Sequence, residues 1–427
     1  MGMGLIISSL GRSFLLFFSL VWVTEALDQA KYFNVRNYGA VEGGEADNSK
    51  QRMWTLRLWS SLPPMEELML PNLLFSFAFL EAWKEACQWN GRARVVVPRG
   101  TFKLYPVIFS GPCNGPIAFL IEGTLRASID PSTFSTDSWI NFRYINQLVV
   151  TGGGTLDGQG ASAWHLNNCK TNPQCQALPI SMSFDFITNA RVEYIKSYDS
   201  KNAHFKIFGC HNMDFRKIKV SAPADSPNTD GIKIGSSYRI RIARSTIATG
   251  DDCVAVVTGS KKIHISKVVC GPGHGISIGS LGGHDKEDAV VGVVVKNCTF
   301  LGTENGVRIK TWASPYTSKA SNFTFQDIFM DDVLNPITID QEYCPNPPCH
   351  QQTSSNVQIS DVTYKNIWGT SSSEVAVSLR CSKSRPCKNV VLDIIKLSPS
   401  NPRERLSSFC FYAKGASYGL QAPPSCL

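Results

Sequence analysis

The sequence predicts an all-β fold, a parallel β-helix in one domain, with a single capping helix near its N-terminal end. Two observations carry this expectation. From about residue 190 an apolar-x-apolar pair recurs as Val192/Tyr194, Met213/Phe215, Ile240/Ile242, Ile263/Ile265, Val293/Val295, Phe323/Phe325, Val357/Ile359 and Val390/Leu392, with second members 21, 27, 23, 30, 30, 34 and 33 residues apart. A third apolar or small residue often follows three positions on, as at Ile218, Val268, Cys298, Ile328, Val362 and Ile395. Alternation at period two marks short strands, and self-similarity at such intervals marks a solenoid. The second observation is the composition between the pairs, which is rich in Gly, Asn, Ser and Asp and lacks the long amphipathic stretches of helical repeats. A propeller would need blades of about 40 residues with a blade signature.

The elements follow in order. Arg12 precedes the apolar run Phe14 to Val23, and Thr24-Glu25-Ala26 supplies small residues behind it. This pattern predicts a secretory signal peptide over residues 1–26, too short to span a membrane, which takes about 20 apolar residues. The remainder, residues 27–427, reads as one catalytic solenoid. Ala78 to Cys87 is the clear helix, placed to cover the open end of the coil. Val95-Val96-Val97, Ala118 to Ile121 and Leu148 to Thr151 add strands of the same kind before the repeat becomes regular.

Fourteen cysteines suit an oxidising compartment. Cys169/Cys175, Cys253/Cys270, Cys344/Cys349, Cys381/Cys387 and Cys410/Cys426 read as local staples, and no His stands at metal-ligand spacing beside them. Asn297-Cys298-Thr299 and Asn322-Phe323-Thr324 are glycosylation sequons. The net charge of +8 favours a polyanionic partner. The cations are scattered and no nucleic-acid motif is present, so an acidic cell-wall polysaccharide fits better than nucleic acid.

The chemistry concentrates in four ordered motifs: Asn228-Thr229-Asp230, Gly250-Asp251-Asp252-Cys253, Gly273-His274-Gly275 and Arg308-Ile309-Lys310. Asp230 and Asp251 are 21 residues apart, and Asp252 and His274 are 22 apart. One coil per interval stacks them on one face at about 4.8 Å per strand. Two or three carboxylates then share a small volume beside two cations, an arrangement suited to acid/base hydrolysis of an anionic sugar polymer. Adjacent acids in a strand point to opposite faces, so Asp251 and Asp252 line one cleft only where the backbone bends. Alone, that motif reads equally as a Ca²⁺ site or a solvated turn. His274 between two glycines suits close approach of a ligand, or a plain surface loop. Arg308 and Lys310 alternate on one strand face and together grip a carboxylate.

The ordered set resembles the plant polygalacturonases. The matching residues are Ser226-Pro227-Asn228-Thr229-Asp230-Gly231, Thr249-Gly250-Asp251-Asp252-Cys253, Cys270 to Gly282, Asn305-Gly306-Val307-Arg308-Ile309-Lys310-Thr311-Trp312 and Ile339-Asp340-Gln341-Glu342-Tyr343-Cys344. The resemblance implies a right-handed parallel β-helix of the pectin lyase-like type and inverting hydrolysis of α-1,4 bonds in polygalacturonate or demethylated pectin. It implies Asp251 as general acid, Asp230 and Asp252 as the pair activating water, and His274 as a residue tuning Asp251 or touching the sugar. Asn228, Arg308, Lys310 and Tyr343 are implied as substrate binders. No metal, organic cofactor, nucleic acid or membrane is implied, and a secreted, cell-wall-located monomer is expected. Ser197 to Phe205 and Asn168-Cys169…Cys175 resemble the exo-acting, pollen-type branch, which releases single galacturonates.

Two departures stand out. Lys233 occupies a position usually held by His in the family, where a modest effect on substrate binding is expected. Residues 51–77 have no family counterpart and are strongly apolar, with Trp54, Leu58, Trp59 and Leu68 among them. Joining Lys50 to Ala78 restores a family-like helix start. The segment reads either as translated intron or misjoined gene sequence, or as an inserted lid.

Overall fold

Along each short strand apolar residues alternate with polar ones, and every strand pairs with the strand one coil further on. The structure, a computed structural model, describes residues 30–43, 70–134, 136–167, 175, 177–345 and 353–427. The expected signal peptide, residues 51–69, Cys169 and Cys349 lie outside the described residues.

All pairings between the strands are parallel, in sheets of 21 and 11 strands among the described residues. The larger sheet contains two faces of the coil. One face stacks strands such as Thr188–Glu193, His211–Arg216, Tyr238–Ala243 and Lys261–Ser266. The second stacks Lys196–Tyr198, Lys219–Ser221 and Thr246–Ala248. The 11-stranded sheet forms the third face and includes Phe205–Phe208, Ile232–Gly235, Val254–Val256, Ile276–Leu281, Asn305–Trp312 and Asn335–Tyr343. The all-β parallel β-helix is thus observed, and it is the right-handed type.

The two-then-three spacing of the repeat has a backbone cause. After the second apolar residue of a pair, a residue such as Lys217 (φ 52°), Arg244 (φ 53°) or Lys267 (φ 54°) adopts the left-handed conformation. The chain turns there, so the next inward side chain comes three positions on instead of two, at Ile218 and Val268, both buried. Two of the expected pairs are shifted by the observed register. Val192 aligns with Phe215, so the pair of that coil is Ala190/Val192, and Tyr194 is an exposed turn residue. Phe323 and Phe325 align with Val362 and Tyr364, not with Val357 and Ile359. Val357 and Ile359 lie earlier on the same long strand, Asn356–Ser371, opposite Ser318 and Ala320, so one strand carries the apolar pattern twice.

Inward residues form one continuous core down the solenoid axis. The capping helix α1 (Leu70–Gln88) begins eight residues before the expected helix start at Ala78. Its Trp83 packs on Phe109 and Phe142, with ring centroids 5.0 and 5.5 Å away, and its indole N–H donates to the Ser110 carbonyl at 3.1 Å. Phe119 edge-on against Phe142, and Phe142 stacked on Phe184, carry this core into the regular coils. Cys87 at the helix end is disulfide-bonded to Cys113, a pair absent from the sequence expectation. The expected bonds Cys253–Cys270, Cys381–Cys387 and Cys410–Cys426 are present. Among the described residues Cys210 and Cys298 are free and buried.

Candidate active site

The first three motifs lie just before successive strands of the 11-stranded sheet, Arg308-Ile309-Lys310 lies within the next strand, Asn305–Trp312, and backbone hydrogen bonds set their heights. The Gly231 N–H donates to the Asp252 carbonyl at 2.9 Å, the Cys253 N–H to that of Gly275 at 2.7 Å, and the His274 N–H to that of Asp251 at 2.8 Å. Asp230, the Asp251–Asp252 pair and His274 therefore occupy adjacent coils. The Thr229 hydroxyl accepts the Gly250 N–H at 3.0 Å, tying the first motif to the second. Gly250 is required there, because a Cβ would collide with the Ser226 carbonyl. The glycines around His274 also have a backbone cause: Gly273 and Gly275 sit at φ 133° and 77°, where side chains are strained. The Cys253–Cys270 disulfide anchors the residue next to Asp252.

Asp251 and Asp252 precede the strand Val254–Val256 in a bend, so both serve one site. The Asp252 N–H donates to Asp251 Oδ1 at 2.7 Å. His274 Nδ1 lies 3.1 Å from the same oxygen, and its Nε2 lies 3.2 Å from Glu304 Oε2. Asp252 is buried and fully engaged: Ser277 Oγ donates to Oδ1 at 2.7 Å, Arg308 Nη2 approaches Oδ1 at 3.0 Å and Lys310 Nζ approaches Oδ2 at 2.7 Å. Arg308 and Lys310 are thus committed to a carboxylate of the protein, and only 8% and 6% exposed. Lys233 Nζ stands 3.3 Å from Asp230 Oδ2.

These contacts drive the acids apart electrostatically. Burial pushes Asp230 up to about 7, and the neighbouring Asp251 charge adds to this, while Lys233 opposes it. Burial also acts to raise Asp251, but the His274 hydrogen bond and charge, with Lys310, outweigh it and hold Asp251 at about 2. His274 is raised by its bond to Asp251, against burial, with Glu304 adding to the rise. Like-charge crowding is expected to keep the general acid implied by the resemblance, Asp251, protonated; the site does the reverse, raising Asp230 and holding Asp251 low because His274 bonds to it.

Asp251, Asp252 and His274 present ligand atoms within 4.8 Å of one another, a spacing open to a metal. The donor set argues against one, because two buried cations already neutralise Asp252 and His274 is spent on Asp251 and Glu304.

Of the expected binders, Asn228 donates to Asn167 Oδ1 at 3.2 Å. Tyr343 packs edge-on against Trp312 at 5.1 Å, with Lys310 Nζ 5.2 Å from its ring. A cavity of about 610 Å³ continues from Tyr343 past Trp312, Thr258, His284 and Glu287. Lys233, Ala255, Ser277 and Arg308 form one outward column, so two small side chains lie between two cations. Glu304, Ser277 and Asn167 escaped the sequence reading. Only Glu304 carried a signal, standing four residues before Arg308.

A family model described as glycosyl hydrolases family 28 matches residues 87–415. The chain is 44% identical over 358 residues to a polygalacturonase of Brassica napus, covering 84% of this chain and 90% of that protein. It is 44% identical over 349 residues to an exopolygalacturonase of Platanus acerifolia, covering 82% and 93%. Among solved structures, an endo-xylogalacturonan hydrolase from Aspergillus tubingensis superposes with a TM-score of 0.70 at 22% identity, over 81% of this chain and 95% of that one.

Proposed function

The chain belongs to family 28 of the glycosyl hydrolases, and from that premise we propose that it is a secreted polygalacturonase that removes single galacturonates from polygalacturonate with inversion. The observation that carries the chemistry is the convergence of three carboxylates from adjacent coils, Asp230, Asp251 and Asp252, with Asp252 neutralised by Arg308 and Lys310.

Asp251 protonates the glycosidic oxygen as its bond to the anomeric carbon breaks. The proton comes from the Asp251–His274 pair. A sugar ring covering that pair removes water, which favours a neutral acid beside a neutral imidazole over an ion pair. Asp230, poised near neutrality, takes a proton from the water that attacks the opposite face of the sugar. Asp252 stays charged between Arg308 and Lys310 and helps orient that water. The two cations, held by Asp252, present their remaining N–H groups to a galacturonate carboxylate.

The exo mode is supported by the relative in Platanus acerifolia and by the role of Ser197 to Phe205. That segment is internal scaffolding. Ser197 Oγ meets His204 Nδ1 at 2.8 Å, and the buried Lys201 donates to the Ser128 and Gly158 carbonyls at 2.7 and 2.6 Å. The Ser200 carbonyl accepts the Trp164 indole N–H at 3.0 Å. The segment thereby fixes the turn Trp164–Leu166, next to the Asn167 that accepts from Asn228; an exo enzyme needs one end of its groove blocked.

The test is chromatography of the first few per cent of products from polygalacturonate, with reducing ends and viscosity followed together. Monomer with slow loss of viscosity is expected. A ladder of oligomers with rapid thinning overturns the exo mode, and products absorbing in the ultraviolet as unsaturated uronides overturn hydrolysis.

A further inference from the structure

A trough of about 930 Å³ lies on the outer surface of the larger sheet, on a different face of the coil from the acids. It exists because side-chain size varies down one outward column. Register places Arg94, Ala118, Val149 and Arg191 on successive coils, and the two short residues leave a depression between two arginines. Arg241 continues the column two coils on. Arg239 and Lys262 stand on neighbouring coils beside this column, at left-handed positions, φ 58° and 56°.

Six of the lining residues are Arg or Lys and one, Asp214, is an acid. Asp214 is already shared between Arg216 at 2.8 Å and Arg241 at 3.7 Å. The side chains of Arg191 and Arg241 remain 50% and 64% exposed, with Glu193 a loose 3.9 Å from Arg191. His264 at the end of the column is pulled down, by burial first and then by Arg241 and Lys296, as a positive field requires. The wall between the two basic ends is a carboxamide ladder. Asn212 donates to Asn189 at 2.6 Å, and Asn189 to Asn146 at 3.0 Å.

A basic face alone is ordinarily a solvated one. This face adds a concave apolar floor, fixed amide groups and cations repeating at the coil spacing of about 4.8 Å or its multiples. Arg191 and Arg241, two coils or about 10 Å apart, and Arg239 and Lys262 on neighbouring coils lie within about one Debye length at 0.1 M salt, about 10 Å, and act together on a polyanion. Apolar ring faces, hydroxyls and regularly spaced carboxylates are the matching features of a uronate polymer. The column on the catalytic face is built alike, with Ala255 and Ser277 between Lys233 and Arg308.

We infer that this trough binds a second stretch of acidic polysaccharide, away from the site of cleavage, and so holds the enzyme on its polymer. The inference rests on the polygalacturonate reading of the active site. The test compares D251N with D251N carrying R191Q, R239Q and K262Q, measuring Kd for long polygalacturonate with galacturonate trimer in excess to fill the cleavage groove. A tenfold or greater rise in Kd at low salt, with a shallower salt dependence, is expected. Trimer hydrolysis by R191Q/R239Q/K262Q on the wild-type background is expected to be unchanged. Unchanged polymer binding overturns the inference. So does equal binding of heparin, duplex DNA or phosphatidylserine vesicles by the parent protein, which reduces the trough to a general polyanion surface. Should the triple variant fail to fold, Arg191→Gln alone carries the comparison, with about a threefold rise expected. Absence of trimer hydrolysis in the wild type, with polymer binding intact, would overturn the catalytic reading and leave the trough standing.

Discussion

Lys233 and Asp230 form an ion pair at 3.3 Å, three residues apart in the chain. The pair draws Lys233 from an expected marginal role in substrate binding to direct contact with a proposed catalytic acid. Lys233 opposes the burial that raises Asp230, and Asp230 in turn raises Lys233. Removing the ammonium therefore strengthens the hold of Asp230 on its proton. In Lys233→Ala the acid limb of the kcat/KM profile is expected to move to higher pH, by up to about 0.7 unit, the equivalent of about 1 kcal/mol for a partly exposed pair. An unmoved acid limb assigns that limb to another group.

Asp251→Asn keeps the shape of the site but removes the transferable proton. Loss of general acid catalysis costs about 10²- to 10⁴-fold, so kcat is expected to fall at least about a hundredfold, with melting temperature and trimer binding little changed. A variant keeping more than about a tenth of wild-type kcat, well above that range, removes Asp251 from the acid role.

Lys310 tests the distinction between binding substrate and holding Asp252. Asp252 is 2% exposed, and Lys310 Nζ is 2.7 Å from it. Breaking a buried pair from one side costs about 3–5 kcal/mol. Lys310→Ala is expected to lower the unfolding midpoint markedly, and Lys310→Ala with Asp252→Asn to recover part of the loss. Denaturant unfolding of the two variants and wild type reads the coupling. Strict additivity shows that the pair carries no coupling.

The pH dependence of stability follows from the same site. Asp230, raised to about 7, binds its proton more tightly folded than unfolded, so its ionisation between about pH 4 and 7 destabilises the fold. His274 is also raised. Its contribution is complete below the ordinary histidine value and is lost as pH rises through the folded one. Asp251, held at about 2, contributes stability above the ordinary carboxylate value, lost as pH falls toward 2. Thermal melts are expected to fall from weakly acidic to mildly alkaline pH. Asp230→Asn should melt above wild type at pH 8 and with it at pH 4, as an inactive enzyme. The reverse order would show that Asp230 is charged in the free protein at low pH.

Glu304 acts through His274. Removing its carboxylate in Glu304→Gln removes one cause of the raised histidine, so the basic limb of the pH–rate profile is expected to move to lower pH. The exposure of Glu304 limits the shift to under about one unit. A direct NMR titration of His274 in both proteins checks the same quantity.

Much of this was legible in the chain. Strand periodicity and the spacing of Asp230, Asp251 and His274 are local or near-local properties, because a solenoid repeats one short-range geometry; the left-handed turns at Lys217, Arg244 and Lys267 carry no residue signature and were not legible there. The capping role of the helix followed from its place before the first coil, though its start did not, since apolar residues from Leu70 onward continue it. The sequence alone determined the coil, the motif order and the residue types at the site. The tertiary structure decided the register at Val362, because apolar pairs on one strand are interchangeable until their neighbours fix them. It also decided which cation meets which acid: Arg308 and Lys310 lie 56 and 58 residues from Asp252 and yet surround it. Protonation was decided there too, since the burial of Asp230 and the approach of His274 to Asp251 arise only when separate coils close over them.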